Sequence, residues 1–120
     1  MQLNEVEFGN AVPIEGYGPD FFRVAGTAHK APLVVFPKGV FSWTGFDEIN
    51  SLLQIVGKID VLFIGTGNEI AHIPSDFRST FEDLGVGVEV MSSPSACRTY
   101  NVLLSEERRV AAALFPIKGA

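Results

Sequence analysis

The sequence predicts one α/β domain of three layers, in which helices flank a mostly parallel mixed central sheet and an additional N-terminal β layer completes the fold. Helix-like and strand-like segments alternate in the second half of the chain, which is typical of α/β domains. The first half instead holds short β-prone runs separated by turn residues. The chain has 120 residues, 47% of them hydrophobic, which is enough for a single domain over 1–120 with a sizeable core.

Strands and turns make up the first part of the chain. Residues 13–20, PIEGYGPD, are rich in glycine and proline and predict a loop. Residues 21–26 and 31–44 are β-prone, and the tripeptide PKG at 37–39 separates two apolar runs as a turn would. We therefore expect a hairpin or a second small sheet in this region.

A first helix is predicted after Trp43, because apolar residues then recur at the spacing of one helical face. These residues are Ile49, Leu52, Leu53 and Val56. Asp47 is placed to cap this helix and Gly57 to end it. The apolar run IDVLFIGTG at 59–67 follows and is typical of a strand buried on both faces.

A second helix is predicted at 73–85, with Phe77, Phe81 and Leu84 on one face and Gly85 as the left-handed residue that ends it. A third helix is predicted at 93–105, with Ser93 as N-cap and Pro94 as its first residue. Strands are predicted at 86–91 and 109–116.

Composition excludes several classes of function. The net charge is −5, and the longest cationic cluster, Arg108-Arg109, directly follows Glu106-Glu107, so nucleic-acid binding is not expected. No apolar run is long enough to span a bilayer, so we expect no integral membrane protein. The single cysteine and the absence of a leader-like N-terminus predict a cytoplasmic protein.

Two βα turns are the candidate ligand site, because ligands of open α/β sheets bind beyond the carboxyl ends of the strands. The predicted donors of this crevice, suited to a small anion, are Gly65, Thr66, Gly67, Asn68, Ser92, Ser93 and Arg98. The alternative is that the glycines only let the chain turn sharply off a buried strand. GTGNEI at 65–70 is half of a dinucleotide fingerprint, and no phosphate loop is present, so no cofactor is predicted.

Cys97 decides whether an enzyme is predicted. It lies near the start of the third helix beside Arg98, where a thiol pKa can be lowered, but it shares the apolar face of that helix. A thiol nucleophile usually needs a base, and neither His29 nor His72 has a spacing that places it. We interpret Cys97 as a small core residue and predict no catalytic residue and no metal site. Tyr100 and Asn101 are predicted to join the helix to the GTG turn or to the following strand by hydrogen bonds, with ligand binding as the alternative.

Phe41, Trp43 and Phe46 are the candidate contacts for a protein partner, since they cluster near the turn into the first helix. The alternative is that Phe41 and Trp43 alternate into the core. The sequence thus favours a non-enzymatic protein that binds a partner, with a small-anion-binding protein or an enzyme as the alternative. It does not specify an oligomeric state.

A family resemblance rests on four motifs in residues 63–116. They are IGTG at 64–67, GVGVEVM at 85–91, ACRTYNVL at 96–103 and VAAALFP at 110–116. Together with GVFSWT at 39–44, they make the chain similar to the small-domain family of mitochondrial respiratory complex I assembly factor 3 and the adipogenesis-associated domain protein, which has uncharacterised bacterial and archaeal relatives.

This resemblance implies a three-layer α/β fold with a mixed central sheet and an additional β layer. It implies no established reaction, and the best-described member of the family is an assembly factor that binds other proteins. The chain departs from the family pattern in two places, because an acidic residue often stands near Ser92 and glycine often fills the turn at Glu107. No mitochondrial leader is recognisable, so residence in that organelle is not implied.

Overall fold

The structure is a computed structural model that describes residues 10–119. A three-stranded sheet is formed by β1 (Ile14–Gly18), β2 (Phe21–Val24) and β3 (Thr27–Lys30). A five-stranded sheet is formed by β4 (Leu33–Phe36), β5 (Gly39–Ser42), β6 (Val61–Gly65), β7 (Gly87–Met91) and β8 (Val110–Leu114). The helices are α1 (Asn50–Leu53), α2 (Ser75–Glu82) and α3 (Ser93–Ser105), and a 3-10 turn occupies Val56–Lys58.

The central sheet is mixed and has the strand order β5-β4-β8-β6-β7. Strands β8, β6 and β7 run parallel, whereas β4 pairs antiparallel with both β8 and β5. The predicted α/β class with a mixed sheet and an additional N-terminal sheet is therefore confirmed. The parallel part arises from the alternating second half of the chain, because each helix carries the chain back to start the next strand in the same direction.

The two faces of the central sheet bury different layers. Along β8, Ala112 and Leu114 join the core with α3 and the N-terminal sheet, whereas Ala111 and Ala113 join the core with α1 and α2. All five residues of β8 are buried, because this strand lies in the middle of the sheet with both faces covered. Its three alanines leave room for both outer layers to approach the sheet.

The predicted loop at 13–20 is wrong, since β1 occupies most of it. Strand β1 pairs antiparallel with β2, and the register shifts between Ile14 and Gly16 as it does at a β-bulge. Glycine and proline are tolerated here because β1 is the edge of a small sheet. Strand β3 was missed as well, because three of its four residues are exposed and give no apolar alternation.

The first helix is shorter than its apolar spacing predicts. It spans one turn, Asn50–Leu53, with Ile49 at the N-cap position and no side-chain cap, so the predicted cap at Asp47 is wrong. The Glu48 carboxylate instead stabilises the segment before this helix, because it accepts hydrogen bonds from both the N–H and the hydroxyl of Thr44 at 2.9 and 3.1 Å. The chain then tightens into the 3-10 turn that ends at Lys58.

Helix ends differ from prediction at two further places. Helix α2 ends at Glu82, so Leu84 lies beyond it and is 54% exposed, although Gly85 does take the predicted left-handed conformation with φ of 87°. The N-cap of α3 is Ser92 and not Ser93: the Ser92 hydroxyl accepts from the N–H of Ser95 at 3.3 Å. This shift of one residue frees the Ser93 hydroxyl for another role.

Asn101 joins α3 to the N-terminal sheet. Its side-chain oxygen accepts from the N–H of Ile14 at 2.9 Å, and its side-chain NH2 donates to the carbonyl of Ile14 at 2.7 Å. The Tyr100 hydroxyl donates to the carbonyl of Val12 at 3.4 Å. The predicted structural role of both residues is confirmed, but their partners lie in the N-terminal segment and not in the GTG turn or the following strand.

Candidate functional site

The two predicted turns meet at the carboxyl edge of the central sheet. Strands β6 and β7 pair in parallel with Gly65 opposite Met91, so the chain leaves both strands at the same level. The N–H of Thr66 donates to the carbonyl of Met91 at 2.9 Å. The N–H of Gly67 donates to the Ser93 hydroxyl at 2.9 Å, and the N–H of Ser93 donates to the carbonyl of Gly67 at 2.7 Å.

The contact between these turns is filled with protein atoms. Ser93 is fully buried, and its hydroxyl donates to the carbonyl of Phe115 at 2.8 Å while it accepts from Gly67. A methyl group at Gly65 would stand 2.8 Å from the Cα of Ser93 and 2.8 Å from a methyl carbon of Leu114. The expected open crevice is therefore absent at Gly65 and Ser93, because backbone and hydroxyl already occupy the space.

The remaining predicted donors are engaged within the chain. The Thr66 hydroxyl donates to the carbonyl of Glu69 at 2.7 Å and accepts from the N–H of Ala71 at 3.0 Å. The Asn68 side chain bonds both the N–H and the carbonyl of Lys118. These contacts hold the turn against the C-terminal segment and support the structural interpretation of the GTG sequence.

Arg98 is exposed and points along its own helix, where it donates to the Ser95 hydroxyl at 3.2 Å. The Ser92 hydroxyl, which caps α3, also donates to Ser95 at 3.1 Å. An anion-binding role for the seven predicted residues stays a prediction that these contacts do not favour.

Cys97 lies in the core beside α3, as predicted. It is 5% exposed, and burial raises the pKa of its thiol from 9.0 to about 12, while the positive charge of Arg98 opposes part of that shift. A thiol with this pKa is protonated at neutral pH, and the thiolate is the nucleophilic form. The arrangement suits a small core residue.

We expect iodoacetamide at pH 7.5 to alkylate Cys97 in the native protein about a hundredfold or more slowly than in urea-unfolded protein. Mass spectrometry of timed samples measures both rates. Equal rates in the native and the unfolded protein would contradict the buried placement.

Folding raises the pKa of the Cys97 thiol, so the folded protein holds this proton more tightly than the unfolded chain does. The contribution of the thiol to the free energy of unfolding is therefore complete below pH 9 and is lost as the pH rises towards 12.

The three candidate partner contacts differ in burial. Trp43 is 2% exposed and lies in the core, where its indole N–H donates to the carbonyl of Glu48 at 2.8 Å. Phe46 is half-buried, with its ring centroid 5.0 Å from that of Phe77. Phe41 is half-buried on β5, the edge strand of the central sheet. Phe41 and Phe46 keep part of their surface available, whereas Trp43 does not.

Comparison with known sequences identifies the family. A family described as a protein of unknown function (DUF498/DUF598) matches residues 14–115, which is most of the chain. The chain belongs to the DUF498/DUF598 family. An uncharacterized protein of Rhodobacter capsulatus is 48% identical to this DUF498/DUF598 protein over 120 residues, covering 100% of this chain and 97% of the relative.

Two similar proteins from vertebrates carry a descriptive name. An assembly factor 3 of the NADH dehydrogenase [ubiquinone] 1 alpha subcomplex from Xenopus tropicalis is 34% identical over 86% of this chain. The match covers only 60% of that relative's length. The protein of the same name from Mus musculus is 31% identical over 99% of this chain and 68% of its own length. The resemblance predicted from the four motifs is confirmed.

Solved structures agree with the fold. A Bartonella henselae protein described as an outer membrane protein superposes with a TM-score of 0.81 at 35% identity, covering 93% of this chain and 100% of that one. A Bordetella pertussis Mth938-like domain superposes with a TM-score of 0.78 at 27% identity, covering 100% and 95%. Within residues 10–119 of this DUF498/DUF598 protein, no helix has the length and apolarity needed to cross a bilayer.

Glu107 occupies a backbone position that favours glycine. It has a φ of 63° and follows the last residues of α3, where its N–H donates to the carbonyl of Leu104 at 2.9 Å. The N–H of Arg108 donates to the carbonyl of Leu103 at 3.0 Å, which completes a Schellman closure. Glutamate takes the left-handed conformation here at a steric cost that glycine would avoid.

Proposed function

We propose that this protein is a cytoplasmic, non-enzymatic accessory or assembly factor that acts by binding other proteins, among them subunits of a respiratory complex. The observation that carries this proposal is the name of its relatives. Two of them, 34% and 31% identical to this chain, are named as assembly factors of an NADH dehydrogenase.

The state of the reactive side chains supports a binding role. Cys97 is buried with a raised thiol pKa, and the hydroxyls of Thr66 and Ser93 are engaged with backbone groups. A nucleophile in these positions would need an adjacent base and an open approach for the substrate. The best-placed polar groups of the carboxyl edge therefore serve the fold.

The edge strand β5 is the surface we assign to a protein partner. An edge strand leaves one row of backbone N–H and C=O groups for pairing with another chain. Phe41 lies on this strand, half-buried, with its ring centroid 5.9 Å from that of Phe36. A partner segment that pairs with β5 would cover this aromatic pair, and half-buried aromatic side chains are frequent anchors of interfaces.

Affinity purification of the tagged protein, expressed at native level in its own cells and followed by mass spectrometry, tests the proposal. We expect subunits of an NADH dehydrogenase or their assembly intermediates to be enriched over an untagged control. Phe41→Thr, which keeps a β-prone residue on the strand, is expected to lower their recovery about tenfold.

Tyr17→Thr is the matched control, because Tyr17 is 45% exposed on a strand of the other sheet. We expect the Tyr17→Thr variant to recover the same amount of partner proteins as the original chain. Thermal unfolding of both variants verifies that they fold. The absence of any enriched protein with the unsubstituted chain would refute the binding role, and equal recovery with Phe41→Thr would move the contact away from β5.

A further inference from the structure

A cavity of about 750 Å3 lies at the edge of the central sheet opposite the Gly65 and Ser93 turns. Strands β6 and β8 begin at this edge, and β4 ends there because it runs antiparallel to β8. Three connections therefore converge on the cavity: the β4–β5 turn, the 3-10 turn before β6 and the turn between α3 and β8. The volume lies within the range of small-molecule sites, roughly 300–1,000 Å3.

The cavity concentrates the positive charge of an acidic protein. Each of the three connections contributes cations, and four of the nine lysines and arginines of the chain line the cavity: Lys38, Lys58, Arg108 and Arg109. Among the aspartates and glutamates of residues 10–119, one, Glu107, lines the cavity. The sign of the local charge is thus opposite to the net charge of −5.

Within the described part of the chain, three of these four cations form no ion pair. Arg109 lies 3.3 Å from a carboxylate oxygen of Asp60 and donates to the carbonyl of Gly57 at 3.3 Å. Across residues 10–119, no carboxylate lies within ion-pair distance of Lys38, Lys58 or Arg108. Like charges gathered without partners repel one another, so an anion in the cavity would relieve that repulsion.

The remaining lining is largely apolar. Leu104 is buried, and Ala11, Phe36 and Pro37 are half-buried around the cavity. The cavity therefore offers hydrocarbon contact beside its charged groups. Inorganic anions would use only the cations, and neutral hydrocarbons would use only the apolar lining.

We propose that this cavity binds a small amphiphilic anion, a carboxylate or phosphate attached to a hydrocarbon or aromatic body. The head group lies among Lys38, Lys58 and Arg108, and the body contacts Phe36 and Leu104. Arginine and lysine donate charge-assisted hydrogen bonds to such head groups, and burial of the body adds to the affinity.

Three probes separate the two parts of this recognition. Octyl phosphate below its micelle-forming concentration carries both parts, inorganic phosphate carries the head alone, and 1-octanol carries the body alone. The 15N-labelled full chain is titrated with each probe, and amide shifts are followed by NMR. We expect octyl phosphate to shift the amides of Lys38, Lys58 and Arg108 saturably, with an affinity about tenfold or more above that of either other probe.

Charge reversals of matched type locate the site. Lys58→Glu and Arg108→Glu are expected to weaken octyl phosphate binding about fivefold to tenfold. Lys30→Glu changes the net charge equally at an exposed position outside the cavity and should leave the affinity unchanged. Glu107→Gly removes a carboxylate that lines the cavity and should tighten binding about threefold. The spectrum of each variant shows directly whether it is folded.

Several outcomes would overturn the proposal. If Lys58→Glu and Lys30→Glu lowered the affinity for octyl phosphate equally, the anion would be attracted by the charge of the whole chain and not by this cavity. If octyl phosphate and inorganic phosphate bound equally tightly, the apolar lining would contribute nothing to binding. Saturable shifts confined to the Gly65 and Ser93 turns would place the anion at the other edge. Co-sedimentation with anionic phospholipid vesicles, together with no binding of octyl phosphate, would assign the cations to a lipid surface.

Discussion

Replacing Trp43 by alanine is expected to lower the free energy of unfolding by about 3–5 kcal/mol. Trp43 is 2% exposed, and its ring centroid lies 5.2 Å from that of Phe115, 5.7 Å from that of Phe46 and 6.2 Å from that of Phe77. These rings form one cluster between the central sheet and α2. Its removal opens a cavity that the rigid sheet cannot close, and the carbonyl of Glu48 loses its donor.

Urea unfolding followed by far-UV circular dichroism measures this loss, because Trp43 is the only tryptophan and its fluorescence disappears with it. Tyr17→Ala is the control aromatic truncation. Tyr17 is 45% exposed, and we expect a loss of about 1 kcal/mol or less. A loss at Trp43 no greater than that at Tyr17 would contradict its placement in the core and restore it as a surface contact.

Gly65→Ala is expected to lower the free energy of unfolding by about 1–3 kcal/mol, although it adds a single methyl group. That methyl group would stand 2.8 Å from the Cα of Ser93, which is backbone and cannot rotate away. Relief requires β6 and the start of α3 to separate, which strains the two hydrogen bonds between Gly67 and Ser93. The variant therefore tests how tightly the two turns are joined.

Gly57→Ala is the matched control, because within residues 10–119 no atom beyond Gly57 and its chain neighbours lies within 4 Å of the methyl group it would introduce. We expect a change within about 0.5 kcal/mol, or a small gain from the less flexible unfolded chain. Thermal and urea unfolding of both variants are compared with the original chain. A Gly65→Ala variant as stable as Gly57→Ala would mean that the turns are separable and would reopen the crevice.

The sequence predicted the parallel part of the fold because its signals are local and strong. Strands β6 and β8 are continuous apolar runs, and Gly85 takes the predicted left-handed conformation in the turn after α2. Strands β1 and β3 escaped prediction because their pairing partners, and not their own residues, make them strands. Tertiary pairing overrides weak local preference in such short elements.

The candidate site shows a similar division. The Gly65 and Ser93 turns meet because β6 and β7 are parallel neighbours in the sheet, and the sequence predicted this contact. The filling of the contact depends on a shift of the helix cap to Ser92, which turned the Ser93 hydroxyl towards Phe115. The cationic cavity was not predictable, because its cations are far apart in sequence. Lys58 and Arg108 precede the parallel strands β6 and β8, and Lys38 reaches the same edge because β4 is antiparallel to β8.

The Asn101 amide acts on Ile14 as the peptide group of a missing neighbouring strand would. Both bonds go to the same residue, and the N–H and C=O of one strand residue point to the same side. A slip of β1 by one residue would turn those groups to the opposite side and leave the amide without a match. The Asn101 side chain thus fixes the register in which β1, and with it the N-terminal sheet, lies against α3.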